Sequence, residues 1–158
     1  MTLGGMLVVL LVMGLGLVAT PAQAQDNAFV GVSEVDIVVE DLSDNAAKCN
    51  LTEGGLDAAV RLPLDASRLR INPDASPSVY VRVTALLEPR ECAAFVQVSL
   101  KRRLAIPGTT QLVFGAMVWD NGTLLAGPSS DFGQRVNQRV TDFTKQLIAE
   151  WIKANPRR

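Results

Sequence analysis

Apolar and polar side chains alternate along much of this chain, which is the pattern of β-strands that bury one face. In residues 30–40 the apolar positions are mainly valines, and acidic residues interleave with them. The predicted strands comprise five stretches: 30–40, 68–71, 79–86, 92–103 and 112–119. The dipeptide Asn121-Gly122 predicts a further hairpin turn that leads to Leu124 and Leu125. The later strands therefore predict a mainly antiparallel sheet.

Two segments carry the spacing of three and four residues that is typical of amphipathic helices. The longer one is predicted to begin at Asp131 and to end before Asn155-Pro156. Its apolar positions are Phe132, Val136, Val140, Phe143, Leu147, Ile148, Trp151 and Ile152. The shorter one is predicted to begin at the N-cap Asn50, because Glu53 stands three residues beyond it, and Pro63 ends or kinks it.

These elements follow the approximate order β-α-β-β-β-β-α. An amphipathic helix buries its apolar stripe by covering one face of a sheet. We therefore expect an α+β fold of two layers, in which both helices lie on one face of a mainly antiparallel sheet. Residues 25–158 have the length of one ordinary domain.

The N-terminal pattern differs from the rest of the chain and indicates export. Every residue from Met6 to Val18 is apolar or glycine, and Pro21 and the small-residue pattern Ala22-Gln23-Ala24 follow. This order is typical of a signal peptide, and the apolar run is shorter than the roughly 20 residues of a membrane-spanning helix. We predict that residues 1–24 are removed, which leaves a periplasmic or secreted protein with no integral membrane segment.

Cys49 and Cys92 are the only cysteines of the chain. An exported protein folds in an oxidising compartment, where a single pair of cysteines favours one disulfide bond. We therefore predict a bond between these two residues.

Composition and charge exclude several kinds of chemistry. The chain has no histidine, so Ser-His-Asp triads, Cys-His pairs and histidine-ligated metal sites are excluded. The formal net charge of −1 gives no reason to expect nucleic acid as a partner. We expect neither a metal nor another cofactor.

Four features recur together in one known architecture. They are the acidic first strand, the capped helix at Asn50-Leu51-Thr52-Glu53, the hairpin sheet and the long final helix with Trp151. Together they cover most of residues 30–154. In this architecture the chain resembles small exported bacterial domains, namely the N-terminal domain of TolB and curli-secretion-type domains. The resemblance implies an envelope-associated module that docks on other proteins.

The sheet face that the helices leave uncovered is the candidate binding surface. Alternation is expected to direct the following side chains into the core: Val81, Val83, Val96, Val98, Phe114 and Val118. The opposite face is then predicted to carry Tyr80, Arg82, Phe95, Lys101, Arg103, Met117 and Trp119. Aromatic side chains beside cations are typical of a binding surface. The alternative is that the N-terminal segment or the Leu124-Leu125 stretch covers these side chains, and a β-bulge would exchange the two faces of a strand.

These observations predict a non-catalytic binding or assembly module of the bacterial envelope, which contacts a protein partner or a second copy of itself. Two other functions remain open. A small envelope hydrolase would use Glu40-Asp41, or Glu88 with Glu91, as acid and base. A carrier of a small apolar ligand would need an enclosed cavity between helix and sheet. The sequence leaves undecided whether the protein is an enzyme.

Overall fold

The computed structural model describes residues 28–89, 91–106 and 108–156. The signal-peptide prediction for residues 1–24 lies outside these ranges. In chain order the elements are β1 (Glu34–Val39), α1 (Asp44–Lys48), α2 (Glu53–Asp65), β2 (Arg70–Ile71), β3 (Ser78–Leu87), β4 (Glu91–Ala105), β5 (Leu112–Pro128) and α3 (Ser129–Ala154). The predicted α+β class is confirmed, and α1 is a short helix in addition to the two that were predicted.

The five strands form one mixed sheet in the order β2-β1-β3-β4-β5. The strand β1 runs parallel to both β2 and β3. The long ladders between β3 and β4 and between β4 and β5 are antiparallel. The antiparallel part therefore dominates the sheet, as the alternation of residues 79–118 predicted.

The core lies between the helices and one face of this sheet. Buried side chains of α3, including Phe132, Val136 and Leu147, pack towards buried valines of β3 and β4 such as Val81 and Val98. The helix α2 lies beside α3 on the same side. None of the helices in the described ranges is both long enough and apolar enough to span a membrane.

The cap of α2 differs from the prediction by two residues. The Thr52 hydroxyl accepts a hydrogen bond from the Gly55 amide at 3.1 Å, so Thr52, not Asn50, is the N-cap. Asn50 has a φ of 59° and donates its side-chain amide to the Ser129 carbonyl at 2.8 Å. It therefore joins the start of α2 to the start of α3. Gly133 permits this approach, since a Cβ there would lie 2.0 Å from the Asn50 carbonyl oxygen.

The predicted hairpin at Asn121-Gly122 was wrong. Both residues lie inside β5, which runs for 17 residues, and they pair with Val98 and Gln97 of β4. A Cβ at Gly122 would lie 3.0 Å from the Phe95 ring. The glycine therefore makes room for a cross-strand aromatic side chain instead of forming a turn.

The predicted disulfide bond is confirmed. Cys49, at the end of α1, is bonded to Cys92 of β4, with 6.0 Å between the two Cα atoms. Both residues are buried. Since Cys92 belongs to the core side of β4, the bond holds α1 on the same sheet face as α2 and α3.

We predict that the double variant Cys49→Ala and Cys92→Ala loses about 3–4 kcal/mol of unfolding free energy, because the bond closes a long loop in the unfolded chain. The two cysteines are 43 positions apart in the sequence. Chemical denaturation measures the difference. A reducing agent should weaken the wild type and leave the double variant unchanged, and equal stability of the two proteins without reductant would contradict the prediction.

Candidate functional site

One face of the sheet carries no helix within the described ranges, and we call it the open face. Its side chains belong to residues that pair directly across β3, β4 and β5, such as Thr84 with Phe95 and Phe95 with Leu124. Its residues include Tyr80, Arg82, Thr84, Leu86, Ala93, Phe95, Lys101, Met117, Asp120 and Leu124. Six of the seven residues predicted for the binding face are exposed or half-buried on this side or at its projecting end.

The described N-terminal segment does not cover the open face. The Trp151 indole of α3 donates to the Val32 carbonyl at 2.6 Å, and the Asn155 side chain donates to the Phe29 carbonyl at 2.9 Å. These contacts hold residues 28–32 on the helix side. The Leu124-Leu125 stretch does not fold over the face either, because it is part of β5.

The first part of the open face is a charged group around Tyr80. The Lys101 ammonium lies 3.1 Å from the centroid of the Tyr80 ring, a cation–π contact. The Arg82 guanidinium lies 3.4 Å from the Glu40 carboxylate. The carboxylates of Glu40 and Asp41 both act on Tyr80, so this end of the face carries charges of both signs.

This arrangement shifts two pKa values. Burial raises the pKa of Tyr80, and the negative charge of Glu40 raises it further. Burial lowers the pKa of Lys101, while the charge of Glu40 opposes that change. The charged group is thus partly withdrawn from water.

The second part of the open face is apolar, and we call it the apolar patch. It is an open depression of about 170 Å³ lined by Thr84, Leu86, Ala93, Ala94, Phe95 and Leu124. Leu86 is 63% exposed, Phe95 38% and Leu124 77%. Leu86 and Leu124 were absent from the predicted surface, although the alternation of β3 already pointed Leu86 away from the valines.

The prediction for Trp119 was wrong. Its side chain is only 7% exposed, and its ring meets Phe29 edge to face, with 6.4 Å between the centroids. A β-bulge explains the error: Leu100 pairs with Trp119, whereas Lys101 pairs with Met117. Val118 is the extra residue, so Met117 and Trp119 lie on opposite faces.

Phe114 also differs from its prediction, and it lies at the second irregularity of the ladder, between the pairs of Arg102 and Leu104. This residue was predicted in the core and is 68% exposed. The Arg103 guanidinium lies 4.6 Å from the centroid of its ring. Both residues lie beyond the last pair of β3 with β4, where β4 and β5 continue as a two-stranded ribbon. The aromatic and cationic chemistry thus extends past the end of the open face.

In the part of the chain that the structure describes, the carboxylates considered for hydrolysis lie at two separate places, the end of β1 and the turn between β3 and β4. Glu40 is paired with Arg82, and Asp41 is exposed beside it. Glu88 and Glu91 are exposed in the turn between β3 and β4, where the Glu88 amide donates to the Glu91 carbonyl at 2.8 Å. Asp41, Glu88 and Glu91 therefore have the surroundings of solvated acids, whereas one carboxylate oxygen of Glu40 is buried.

The helix side also carries a concavity. An open groove of about 310 Å³ runs between α2 and α3 and is lined by Gly55, Ala58, Ala59, Leu62, Gln134, Asn137, Gln138 and Thr141. It is a surface groove between the helices, whereas a carrier of a small apolar ligand needs an enclosed cavity between helix and sheet.

Comparison with known proteins adds little to this description. No protein family matches the chain, and no curated protein matches it. Among solved structures the chain is similar to a PelC dodecamer from Paraburkholderia phytofirmans, with 16% identity over 77% of this chain and 86% of that chain, and a TM-score of 0.39. A similarity at this level supports no argument about function, and the resemblance to TolB-type and curli-secretion-type domains stays a prediction.

We predict that Trp119→Ala lowers the free energy of unfolding by about 3–5 kcal/mol, because it removes a buried aromatic side chain from the core. The matched control is Phe114→Ala, which removes an exposed ring of the same strand and should cost less than about 1 kcal/mol. Denaturant unfolding of both variants measures the difference. Equal losses would contradict the placement of the two rings.

Tyr80 is the only tyrosine of the chain, so its ionisation can be followed by tyrosinate absorbance. We predict a midpoint above the ordinary pKa of 10.0. The Glu40→Gln variant should lower that pKa without restoring the ordinary value, because burial, the larger cause, remains. Glu88→Gln, in the distant turn, should change nothing.

The raised pKa of Tyr80 also makes the stability of the fold depend on pH. A folded-state pKa above the unfolded value gives a stabilisation that is present below pH 10.0 and is lost as the pH rises through the folded-state pKa of Tyr80. A midpoint at or below the ordinary value would contradict the burial of Tyr80 and its closeness to the charge of Glu40.

Proposed function

We propose that this protein is a non-catalytic binding or assembly module of the bacterial envelope, and that the open face is its contact surface. The observation that carries the proposal is the apolar patch with the charged group beside it. An antiparallel sheet with one solvated face normally presents polar residues there. Here Leu86, Phe95 and Leu124 interrupt that pattern side by side on adjacent strands.

The chemistry of this surface fits a protein partner. Contact with a partner would remove apolar area from water, which is favourable by roughly 25 cal/mol per Å² before the costs of association. Aromatic residues, methionine and arginine are enriched in protein interfaces, and Phe95, Met117 and Arg82 are all accessible on this face. The Lys101 contact with the Tyr80 ring holds a cation on the same face, towards its other end.

The disulfide bond and the predicted leader support the envelope as the location. Cys49 and Cys92 are bonded, and bonds of this kind persist in the periplasm or outside the cell. The architectural resemblance to exported docking domains agrees with this location. We therefore place the partner in the periplasm or outside the cell.

The test replaces one leucine on each side of the molecule. Leu86→Asp puts a carboxylate into the apolar patch, whereas Leu62→Asp alters a residue of α2 that is exposed to a similar degree, 70% against 63%. We predict that the first variant loses at least about tenfold in affinity, as a central interface residue does, and that the second keeps the wild-type affinity.

The measurement is capture from an envelope fraction by the immobilised protein, followed by titration of the captured partner against both variants. Thermal unfolding confirms that the variants are folded to the same extent. The proposal fails when Leu86→Asp binds as well as the wild type, or when the loss is equal for Leu62→Asp.

A further inference from the structure

The two edges of the sheet differ sharply in how they are protected from pairing with another strand. At one edge, β2 has only two residues and carries Arg70, whose side chain is exposed. A short, charged edge strand is a common defence against further pairing. At the other edge, β5 runs for 17 residues, and within the described ranges it pairs only with β4.

The two halves of β5 also differ. The half before Trp119 contains both irregularities of the ladder, between Leu100 and Lys101 and between Arg102 and Leu104 of the partner strand. Bulges twist an edge and disfavour pairing there. From Trp119 to Pro128 the ladder with β4 is regular, so this half presents a straight edge.

The straight half lacks the residues that usually block an edge. Between Trp119 and Pro128 the only charged residue is Asp120, no lysine or arginine is present, and the only proline is the terminal Pro128. Long and nearly uncharged edges are templates for another strand. The outer backbone groups of this segment also need hydrogen-bond partners, which water or a second strand supplies.

We propose that this edge pairs antiparallel with the same edge of a second copy of the chain, in a two-fold dimer centred on Leu124. The proposal rests on the proposed function, because it names a second copy as an occupant beside the open face. The two-fold axis stands perpendicular to the sheet. Both sets of helices then lie on one side, and the open faces of the two copies become continuous.

The position of the axis follows from charge and apolar area. In an edge pair of this symmetry, residues that face each other point to the same side of the sheet. An axis at Asp120 would oppose two carboxylates, which is unfavourable. An axis at Leu124 places Asp120 opposite Pro128 of the second copy and Gly122 opposite Ala126 of the second copy.

The same register joins the two apolar patches. Leu124, the most exposed large apolar residue of this face at 77%, meets Leu124 of the second copy. Each leucine is flanked by its own Phe95 through the ladder with β4. Exposed apolar area on each copy is thereby covered by its counterpart, and the segment from Asn121 to Gly127 is paired.

Cysteine cross-linking tests the register. In Leu124→Cys the two thiols face each other with Cβ atoms about 4.5–5.5 Å apart, so mild oxidation should give a reducible covalent dimer as the main species. In Ala126→Cys each new cysteine faces Gly122 of the second copy, so the two cysteines are four residues apart along the strands. Their Cα atoms are then separated by roughly 13 Å, well beyond the ~7 Å limit for a disulfide bond. This control should stay mainly uncrosslinked. The native pair Cys49 and Cys92 is buried and bonded, so it should not exchange with the new thiol.

The association itself is measured by light scattering on the protein purified after expression of the full chain. The wild type should elute at twice the mass of one chain. Leu124→Lys should shift it to the monomer, while the helix-side control Leu62→Lys should remain dimeric. A monomeric wild type, or equal cross-linking of the two cysteine variants, would overturn the proposal.

Two failures are distinguishable. If Leu124→Cys and Ala126→Cys cross-link equally while Leu86→Asp loses partner capture, the edge dimer is wrong and the contact role of the open face stands. Specific cross-linking at Leu124 with unchanged capture by Leu86→Asp keeps the dimer and removes that contact role.

Discussion

The strict alternation of β4 is the constraint on which the rest of the structure depends. Its core-side residues from Cys92 to Leu100 are buried without exception, and they meet the helices and form the disulfide bond. Because successive side chains of a strand point in opposite directions, the same alternation fixes Phe95 and Lys101 on the other side. The core and the open face are therefore two consequences of one pattern, and a shift of β4 by one residue would destroy both.

The alternation ends at Leu100, and the bulge there determines which side chains of β5 lie on each face of the sheet. In a regular strand Met117 and Trp119, which are two residues apart, would share a face. With the bulge, the tryptophan fills the core against Phe29, and the methionine remains beside Lys101. A bulge also increases the local twist. The end of β4 and β5 consequently leaves the sheet as a ribbon, in which Arg103 and Phe114 contact each other.

The elements that followed from the sequence are those fixed by local periodicity. The stripe of α3 from Phe132 to Trp151 and the alternation of β3 and β4 required no knowledge of neighbours, and the single pair of cysteines permitted one bond. The missed features depend on contacts between distant residues. Asn121-Gly122 has the sequence of a turn, and only the contact of Gly122 with Phe95 explains its place inside a strand. Asn50 has the sequence of an N-cap, and its actual partner, the Ser129 carbonyl, is distant along the chain. The exposed Leu86 and Leu124 became a single patch only when the register of three strands was known.

The open face exposes apolar side chains, and the straight edge of β5 exposes backbone groups that have no partner strand in the described residues. These two features lie at neighbouring positions. Helices packed on the open face would cover its apolar side chains. A shorter β5 would expose fewer backbone groups, as the two-residue β2 does at the other edge. The chain does neither in the residues described. Leu86 and Leu124 are 63% and 77% exposed. Their apolar area lowers the solubility of a monomer, and its contact with water ends only when a partner covers it. Such a surface is therefore better explained by association than by the folding of a single copy.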